Sequence, residues 1–591
     1  MKSLRPISFP RSRFLLAVVA GLLLAASFPK IGIAGLAWIA PGLMMAAALG
    51  TKGGESFRIG YVGGLAHYLA SLYWLLLIPY RWHGIPFGPA TGWLALGAFL
   101  ALFPAMWVWL MSGVQSSKDL AVGHKVQSSA NAVQGPDFRI RSPKPESREL
   151  ELGGLMAGLQ NAGPPLTGSW SRRTLWALSG AAVWVALEMV LARILGGFPW
   201  NLLGVSQYRM VPLIQIASVT GVYGVSFLAV WFALSLVSAG VMLFRRPTMR
   251  SVWVAEIFLP MLVVAIVFNF GSRQLRHEPA AVRTIKVAMV QPSIPQTLIW
   301  DETMDEQRFR ELVRLSEQAL TNHPDLLLWP EAAVPRLLRY DTNTFFTVTN
   351  LAGGHHAWMI IGADDMEPRP GSSNPEDRIF FNSSFLVSDE GRLRDRYLKR
   401  NLVIFGEYIP LEHWMPFLKW FTPIQGGFTP GTRAVQFDLE DLSVKASVLI
   451  CFEDVFPHLG PSAVEPDTDF LVNLTNDGWF GESAAQWQHA ATAVFRTVEN
   501  GVPLLRCTNT GLTCWVDAQG RMQEYFTDSH GSIYGAGFMV SEIPLRAAGT
   551  KLDRTFYNRH GDWFGWACVL VAAYLTARRL IVPKLLSYKG R

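Results

Sequence analysis

The chain has 591 residues, is 50% hydrophobic and only 16% charged, and carries a formal net charge of +7. Such a composition is too apolar for an ordinary soluble protein and implies several membrane spans plus one soluble domain. No basic cluster is interleaved with aromatics, so the positive balance is not that of a nucleic-acid binder.

Apolar stretches near the roughly 20 residues needed to cross a bilayer fall at about 14–30, 34–50, 58–80, 91–113, 173–195, 213–243, 251–271 and 562–582. That predicts eight spans. The first follows a basic leader (Lys2, Arg5, Arg11, Arg13) that would also suit a cleavable signal peptide, but another apolar segment follows almost at once, which favours a span. With the N-terminus inside, the inner loops hold Lys52, Arg58, Arg245, Arg246 and Arg250, and the tail holds Arg578, Arg579, Lys584, Lys589 and Arg591. The outer loops 81–90 and 196–212 carry only Arg81 and Arg209. This bias follows the positive-inside rule and places residues 272–561 on the outer side. The predicted units are therefore a transmembrane domain over 1–271, an outer domain over 272–561, and a last span with a basic inner tail over 562–591.

Residues 114–172 are rich in Ser, Gly and Pro with mixed charge, and read as a disordered inner loop. The outer loop Gly197-Phe-Pro-Trp200 sets Trp and Pro beside a span end. It is either a shaped interfacial feature or a Trp of the aromatic belt. The outer domain alternates apolar strands (286–291, 325–329, 358–362, 380–387, 445–450, 470–474, 503–508) with helices at about 301–321 and 484–500. That alternation predicts an α/β layered fold whose strands are buried on both faces. Of the four cysteines, Cys568 lies in the last span. Cys507 and Cys514 either pair in an oxidising compartment or are plain buried thiols.

Three strands end in a reactive side chain: Asp325 through Trp329-Pro-Glu331, Arg396-Tyr-Leu-Lys399, and Ala446 through Cys451-Phe-Glu453. Taken singly, each has an ordinary reading: a salt-bridging Glu, a solvated Lys-Arg pair, a structural thiol. Together they supply a base, a cation and a nucleophile. A Cys must become a thiolate to attack a carbonyl; a nearby ammonium favours that ion, and a carboxylate can take its proton. The joint pattern points to covalent acyl chemistry.

A Glu, a Lys and a Cys in this order, each after a strand, resemble the carbon–nitrogen hydrolase (nitrilase) superfamily. The closer resemblance is to the apolipoprotein N-acyltransferases of bacterial envelopes, through Gly197–Trp200, Gln291-Pro-Ser-Ile-Pro-Gln296 with Trp300, Trp329–Glu331, Lys399–Pro410, Ile450–Glu453, Asn476–Phe480 and Thr508–Gly511. The chain departs from that family at Asn401 and Ile404, where His and Pro are frequent, and at Phe452, where Tyr is frequent.

The resemblance implies a polytopic α-helical membrane domain joined to a nitrilase-like α-β-β-α layered domain. It implies that Glu331 is the general base, that Lys399 stabilises the oxyanion with the backbone N–H after Cys451, and that Cys451 forms a thioester. Glu407 would hold Lys399 or the attacking amine, and Glu453 would order the same pocket. Trp300, Trp479, Phe480 and Trp200 would line the substrate path or its lid, although each aromatic would serve equally well as core. The implied donor is a phospholipid and the implied acceptor is the amino group of a diacylglyceryl-cysteine apolipoprotein, both held at the inner membrane with the catalytic domain on the periplasmic side. No cofactor or metal is implied. Two other readings use the same chain. One is a membrane-tethered amidase with an identical triad; the other is a transporter or receptor, for which Glu188 and Arg193 would be the intramembrane ionisable residues.

Overall fold

The computed structural model of the protein describes residues 11–79, 87–113, 164–276, 282–299, 301–374, 376–410, 414–416 and 427–588. Most of 114–172, and Trp300, fall outside them.

The N-terminal half is helical. Helices α1 (Arg11–Ala26) and α2 (Gly54–Ser71) are followed by α3 (Gly88–Leu100) and α4 (Leu102–Gly113), then α5 (Trp170–Leu191), α6 (Val222–Arg245) and α7 (Arg250–Gln274). Among the described residues four helical stretches are long and apolar enough to cross a membrane: Gly88–Ser112, Trp170–Leu191, Val222–Arg245 and Arg250–Gln274, each of 22 to 25 residues. Other expected spans are interrupted. The 34–50 run is a 3₁₀ turn, Ala34–Trp38, followed by a short helix, Ala40–Ala47, with Pro41 in its first turn, where a missing N–H does no harm. The run predicted over 213–243 becomes two short helices, Val211–Ile214 and Ala217–Thr220, ahead of α6. Gly221 makes that break with φ +66°, and a Cβ there would lie 2.5 Å from the Tyr557 ring.

Several buried ionisable groups of this half take part in its structure. Glu188 Oε1 accepts the Trp184 indole N–H (2.9 Å) and the Leu203 N–H (2.8 Å). Arg193 pairs with Asp562 at the foot of the C-terminal helix, and Arg173 meets Glu256 at 2.6 Å. These contacts weaken the transporter reading, because Arg193 is paired and one oxygen of Glu188 is already engaged in structure.

The rest of the chain builds two six-stranded sheets. The first has order β12-β1-β2-β3-β4-β5: β1 Arg283–Gln291, β2 Leu326–Leu328, β3 Trp358–Pro368, β4 Arg378–Val387, β5 Leu393–Leu398 and β12 Gly537–Leu545. The second has order β11-β10-β9-β8-β7-β6: β6 Gln436–Leu439, β7 Val444–Ile450, β8 Phe470–Thr475, β9 Leu504–Thr508, β10 Cys514–Val516 and β11 Met522–Tyr525. Central pairs (β1–β2–β3 and β7–β8–β9) are parallel and the outer pairs antiparallel.

Alternation along each strand divides the layers. Val287 and Met289 face Val448 and Val472 between the sheets, whereas Ala288 and Val290 face helices α8 (Asp305–Leu320) and α9 (Thr342–His355). On the far side, α10 (Ala485–Asn500) covers the second sheet. The order is thus α-β-β-α, as predicted. Helix α10 has a second role, because its Ala490, Val494 and Phe495 also enter the core of the helical half, with Trp184, Leu203 and Tyr223. The chain then closes with helix α11 (Trp563–Tyr588).

Candidate active site

Each predicted reactive residue leaves a strand at the same end of the sheets. Glu331 follows β2 through Pro330, with Ala332 in the left-handed region at φ +49°. That turn packs onto β3 at Gly362, where a Cβ would come within 2.2 Å of the Pro330 carbonyl oxygen. Lys399 immediately follows β5, and Cys451 opens a 3₁₀ turn, Cys451–Val455, after β7. Cys451 itself has φ +50°. A non-glycine residue held there stores on the order of 1–3 kcal/mol of strain, and the turn lifts the thiol off the strand end.

Lys399 is 1% exposed, and its ammonium donates to Glu331 Oε1 (2.9 Å) and Glu407 Oε1 (2.8 Å). Asn382 of β4 donates from one Nδ2 to the same two oxygens, at 2.8 and 2.7 Å. The Val403 N–H fixes the other Glu407 oxygen at 2.8 Å. Burial alone would lower the affinity of Lys399 for its proton, but the Glu331 and Glu407 carboxylates outweigh it and hold the group well above the ordinary lysine range. It is a fixed cation. Burial pushes the Cys451 thiol well above its ordinary value and Glu331 adds to this, while Lys399 and the backbone N–H of Asn476 act the other way. The resting thiol is therefore protonated, and attack requires a base. Glu331, Lys399 and Glu407 form one buried cluster whose charges act on the half-buried Cys451.

A carbon–nitrogen hydrolase family model matches residues 286–542, and the apolipoprotein N-acyltransferase N-terminal domain matches residues 20–128 and 154–235. An apolipoprotein N-acyltransferase of Geobacter metallireducens is 33% identical over 580 residues, covering 96% of each chain. The chain belongs to the apolipoprotein N-acyltransferase family. Apolipoprotein N-acyltransferases of Bradyrhizobium diazoefficiens (28% identical, 70% of this chain and 75% of theirs) and Brucella melitensis (32%, 59% and 66%) are also similar. The protein is thus an acyltransferase with a nitrilase-like fold. Its apolar helices make it a membrane protein.

Within this family frame the supporting residues divide into two groups. Glu453 is completely buried and accepts the Tyr397 hydroxyl on both oxygens (2.9 and 2.8 Å), together with the backbone N–H groups of Arg400 (2.7 Å), Asn401 (3.1 Å) and Ile450 (2.7 Å). It clamps the loop after Lys399 to the strand end that carries Cys451. The second group lies on the other side of the nucleophile. Arg506 on β9 donates to Asp454 (2.9 Å), Asp477 (2.8 Å) and Asn473 (2.7 Å), and Asn473 donates to the Cys451 carbonyl at 3.1 Å.

Trp200 is 3% exposed, so it is not a Trp of the aromatic belt. Its ring lies among Trp74, Phe198, Phe452 and Phe480, at centroid distances of 5.1 to 6.4 Å. Phe452 is fully engaged in that apolar cluster and has no hydroxyl to place. Trp479 and Phe480 stand on the turn Asp477–Phe480, and Phe480 meets Trp74 edge-on at 4.4 Å. That turn is held by Asn476, which donates to Gln296 (2.9 Å) and accepts from Asn509 (3.1 Å). The Gln291–Gln296 and Thr508–Gly511 motifs thereby act as scaffolding. Cys507 and Cys514 are separate buried thiols, with Cys507 directed at the Val290 and Leu328 carbonyls.

Sequence reasoning missed four site residues: Asn382, Tyr397, Asp364 and His489. Asp364 on β3 is raised to about 7 by burial and by the charges of Glu331 and Glu407. The polar run Asn382-Ser-Ser inside an otherwise apolar strand was the one visible signal, since strands buried on both faces are otherwise uniformly apolar.

Proposed function

We propose that the protein transfers a fatty acyl chain from a membrane phospholipid to the N-terminal α-amino group of diacylglyceryl-cysteine apolipoproteins, through a thioester on Cys451. The observation that carries this reading is the buried Glu331–Lys399–Glu407 cluster whose charges act on Cys451, on a domain packed directly onto apolar helices. In the first half-reaction Glu331 takes the thiol proton and the thiolate attacks the phospholipid ester carbonyl. The oxyanion forms against the Lys399 ammonium and the backbone N–H of Phe452. The ester C–O bond breaks, and Glu331 returns the proton to the departing lysophospholipid oxygen. In the second half-reaction the acceptor amine attacks the thioester and gives its proton to Glu331; the C–S bond then breaks, and the thiolate is reprotonated.

The domain limits we propose are 1–271, 272–561 and 562–591, with eight spans, in the inner membrane and with the catalytic domain on the periplasmic side. The charge bias of the loops supports this orientation. Trp200, Trp479 and Phe480 line the acyl path, where aromatic surface excludes water that would hydrolyse the thioester.

Mass spectrometry of the purified protein incubated with phospholipid and no acceptor tests the reading. The expected result is acyl mass on the Cys451 peptide, removed by hydroxylamine and discharged by a diacylglyceryl-cysteine peptide that gains an amide-linked chain. Discharge by water alone would replace it with a tethered amidase, and the absence of any adduct would overturn it. Cys451→Ala and Cys451→Ser should give no transfer while remaining folded.

A further inference from the structure

Gln488 and His489 are adjacent on α10, are 2% and 1% exposed, and point to different halves of the molecule. Gln488 is saturated by the helical half. Its Oε1 accepts the indole N–H groups of Trp74 (3.1 Å) and Trp200 (2.9 Å) and the Asn201 amide (3.4 Å). Its Nε2 donates to the carbonyls of Pro29 (2.7 Å) and Ser71 (3.1 Å). A buried amide with both ends filled fixes register, because any shift leaves polar atoms unsatisfied.

His489 reaches the loops on either side of the nucleophile. Its Nδ1 is 2.8 Å from Asp477 Oδ1, and its Nε2 makes an ion-pair contact of 2.8 Å with Asp454 Oδ1. Asp454 ends three residues after Cys451, and Asp477 follows Asn476, whose N–H favours the Cys451 thiolate. His489 therefore joins the two loops that frame the thiol. Trp200 completes the link: its ring lies 5.1 Å from His489 and is nearly parallel (20°) to Phe452, the residue after the nucleophile.

We propose that Gln488 and His489 are positioning residues that make the reactivity of Cys451 depend on how the catalytic domain sits on the membrane helices. Among the described residues the charged groups facing His489 are Asp454, Asp477 and Arg506; the helical half presents the neutral Trp200 indole. With His489 charged, the four charges cancel. Without it, one net negative charge stands beside the thiol and opposes thiolate formation.

The role assigned to Cys451 is the part of the proposed function this inference rests on. The test therefore uses no lipid, so that a wrong substrate assignment cannot mimic its failure. Iodoacetamide labelling of Cys451 in the full-length protein in detergent, read by peptide mass spectrometry, is followed from pH 6 to 10. His489→Gln should slow labelling about tenfold at pH 8 and move the profile to higher pH. Gln488→Leu should slow it at all pH values, with the protein still folded by thermal melting. If both variants fail to fold, Trp200→Phe decides, because it removes the N–H donated to Gln488 and keeps an aromatic, though smaller, ring. A labelling rate lowered at least threefold supports the proposal, and a wild-type rate overturns it. Wild-type rates and profiles in folded Gln488→Leu and His489→Gln proteins would also overturn it.

Discussion

Replacing Lys399 with Met isolates what the buried cation does. Methionine nearly matches the stem in volume, so packing is conserved and the ammonium alone is lost. In the native cluster that ammonium stands between Glu331 Oε1 and Glu407 Oε1 at 2.9 and 2.8 Å. Those two oxygens lie within about 6 Å of each other, so at an effective dielectric of 20 their bare repulsion is about 3 kcal/mol once the cation is gone. One carboxyl then takes up a proton, and the Asn382 amide, which already donates to both, keeps the pair together. This proton uptake keeps the folding cost below the 3–5 kcal/mol expected for an uncompensated buried charge. Catalysis has no such escape, because the oxyanion has lost its charged donor, worth about 3 kcal/mol or a hundredfold or more. Protonation also disables the base whenever it falls on Glu331. The assay is a single-turnover time course of acyl-Cys451 formation by intact mass spectrometry, alongside thermal melting. A Lys399→Met protein that acylates within tenfold of wild type would refute the reasoning and make Lys399 a structural cation only.

Further outcomes follow from the surrounding network. Glu453→Ala strands four donors, the Tyr397 hydroxyl and the backbone N–H groups of Arg400, Asn401 and Ile450, and should cost at least about 3 kcal/mol of stability, measured as a large drop in melting temperature. Asp364 is raised to about 7 beside Glu331 and Glu407, so the acylation pH profile should bend near pH 7 in wild type, and the bend should vanish in Asp364→Asn. His489 is raised to about 9 because Asp454 and Asp477 outweigh both burial and the repulsion of Arg506. A histidine raised in the folded state gives stability that is complete below pH 6.5 and lost as pH climbs through 9, at most about 3 kcal/mol. Melting curves should show that decline between pH 7 and 9 in wild type and not in His489→Gln.

The strands that carry Glu331 and Cys451 were legible because each is a short apolar run ending at a polar turn, and the observed β2, β7, β8 and β9 agree with the expected bounds to within a residue or so. By contrast β5, which carries Lys399, is a charged edge strand (Leu393-Arg-Asp-Arg-Tyr-Leu398) with no apolar signal. Helix α9 was not legible: its Thr- and Asn-rich sequence ends in Gly-Gly and shows no clean apolar stripe. Hydropathy also overcounted the continuity of the spans. It sums composition over a window and is blind to a single Pro41 that starts a new helix or a Gly221 that ends one. The triad could be read from motifs, but Asn382, Asp364 and His489 could not, since their partners lie on other strands and loops and no local period links them.

The same distinction applies to the helical half. A span's apolar character says that it sits in lipid, and nothing about which of its polar atoms face inward. Yet Trp74, Ser71 and Pro29 from that half all converge on Gln488, next to the residue that braces the Cys451 loops. Buried hydrogen bonds of this kind are costly to leave unmade, so the helices and the catalytic domain hold a single register. The membrane half is therefore part of the active-site scaffold as well as its tether.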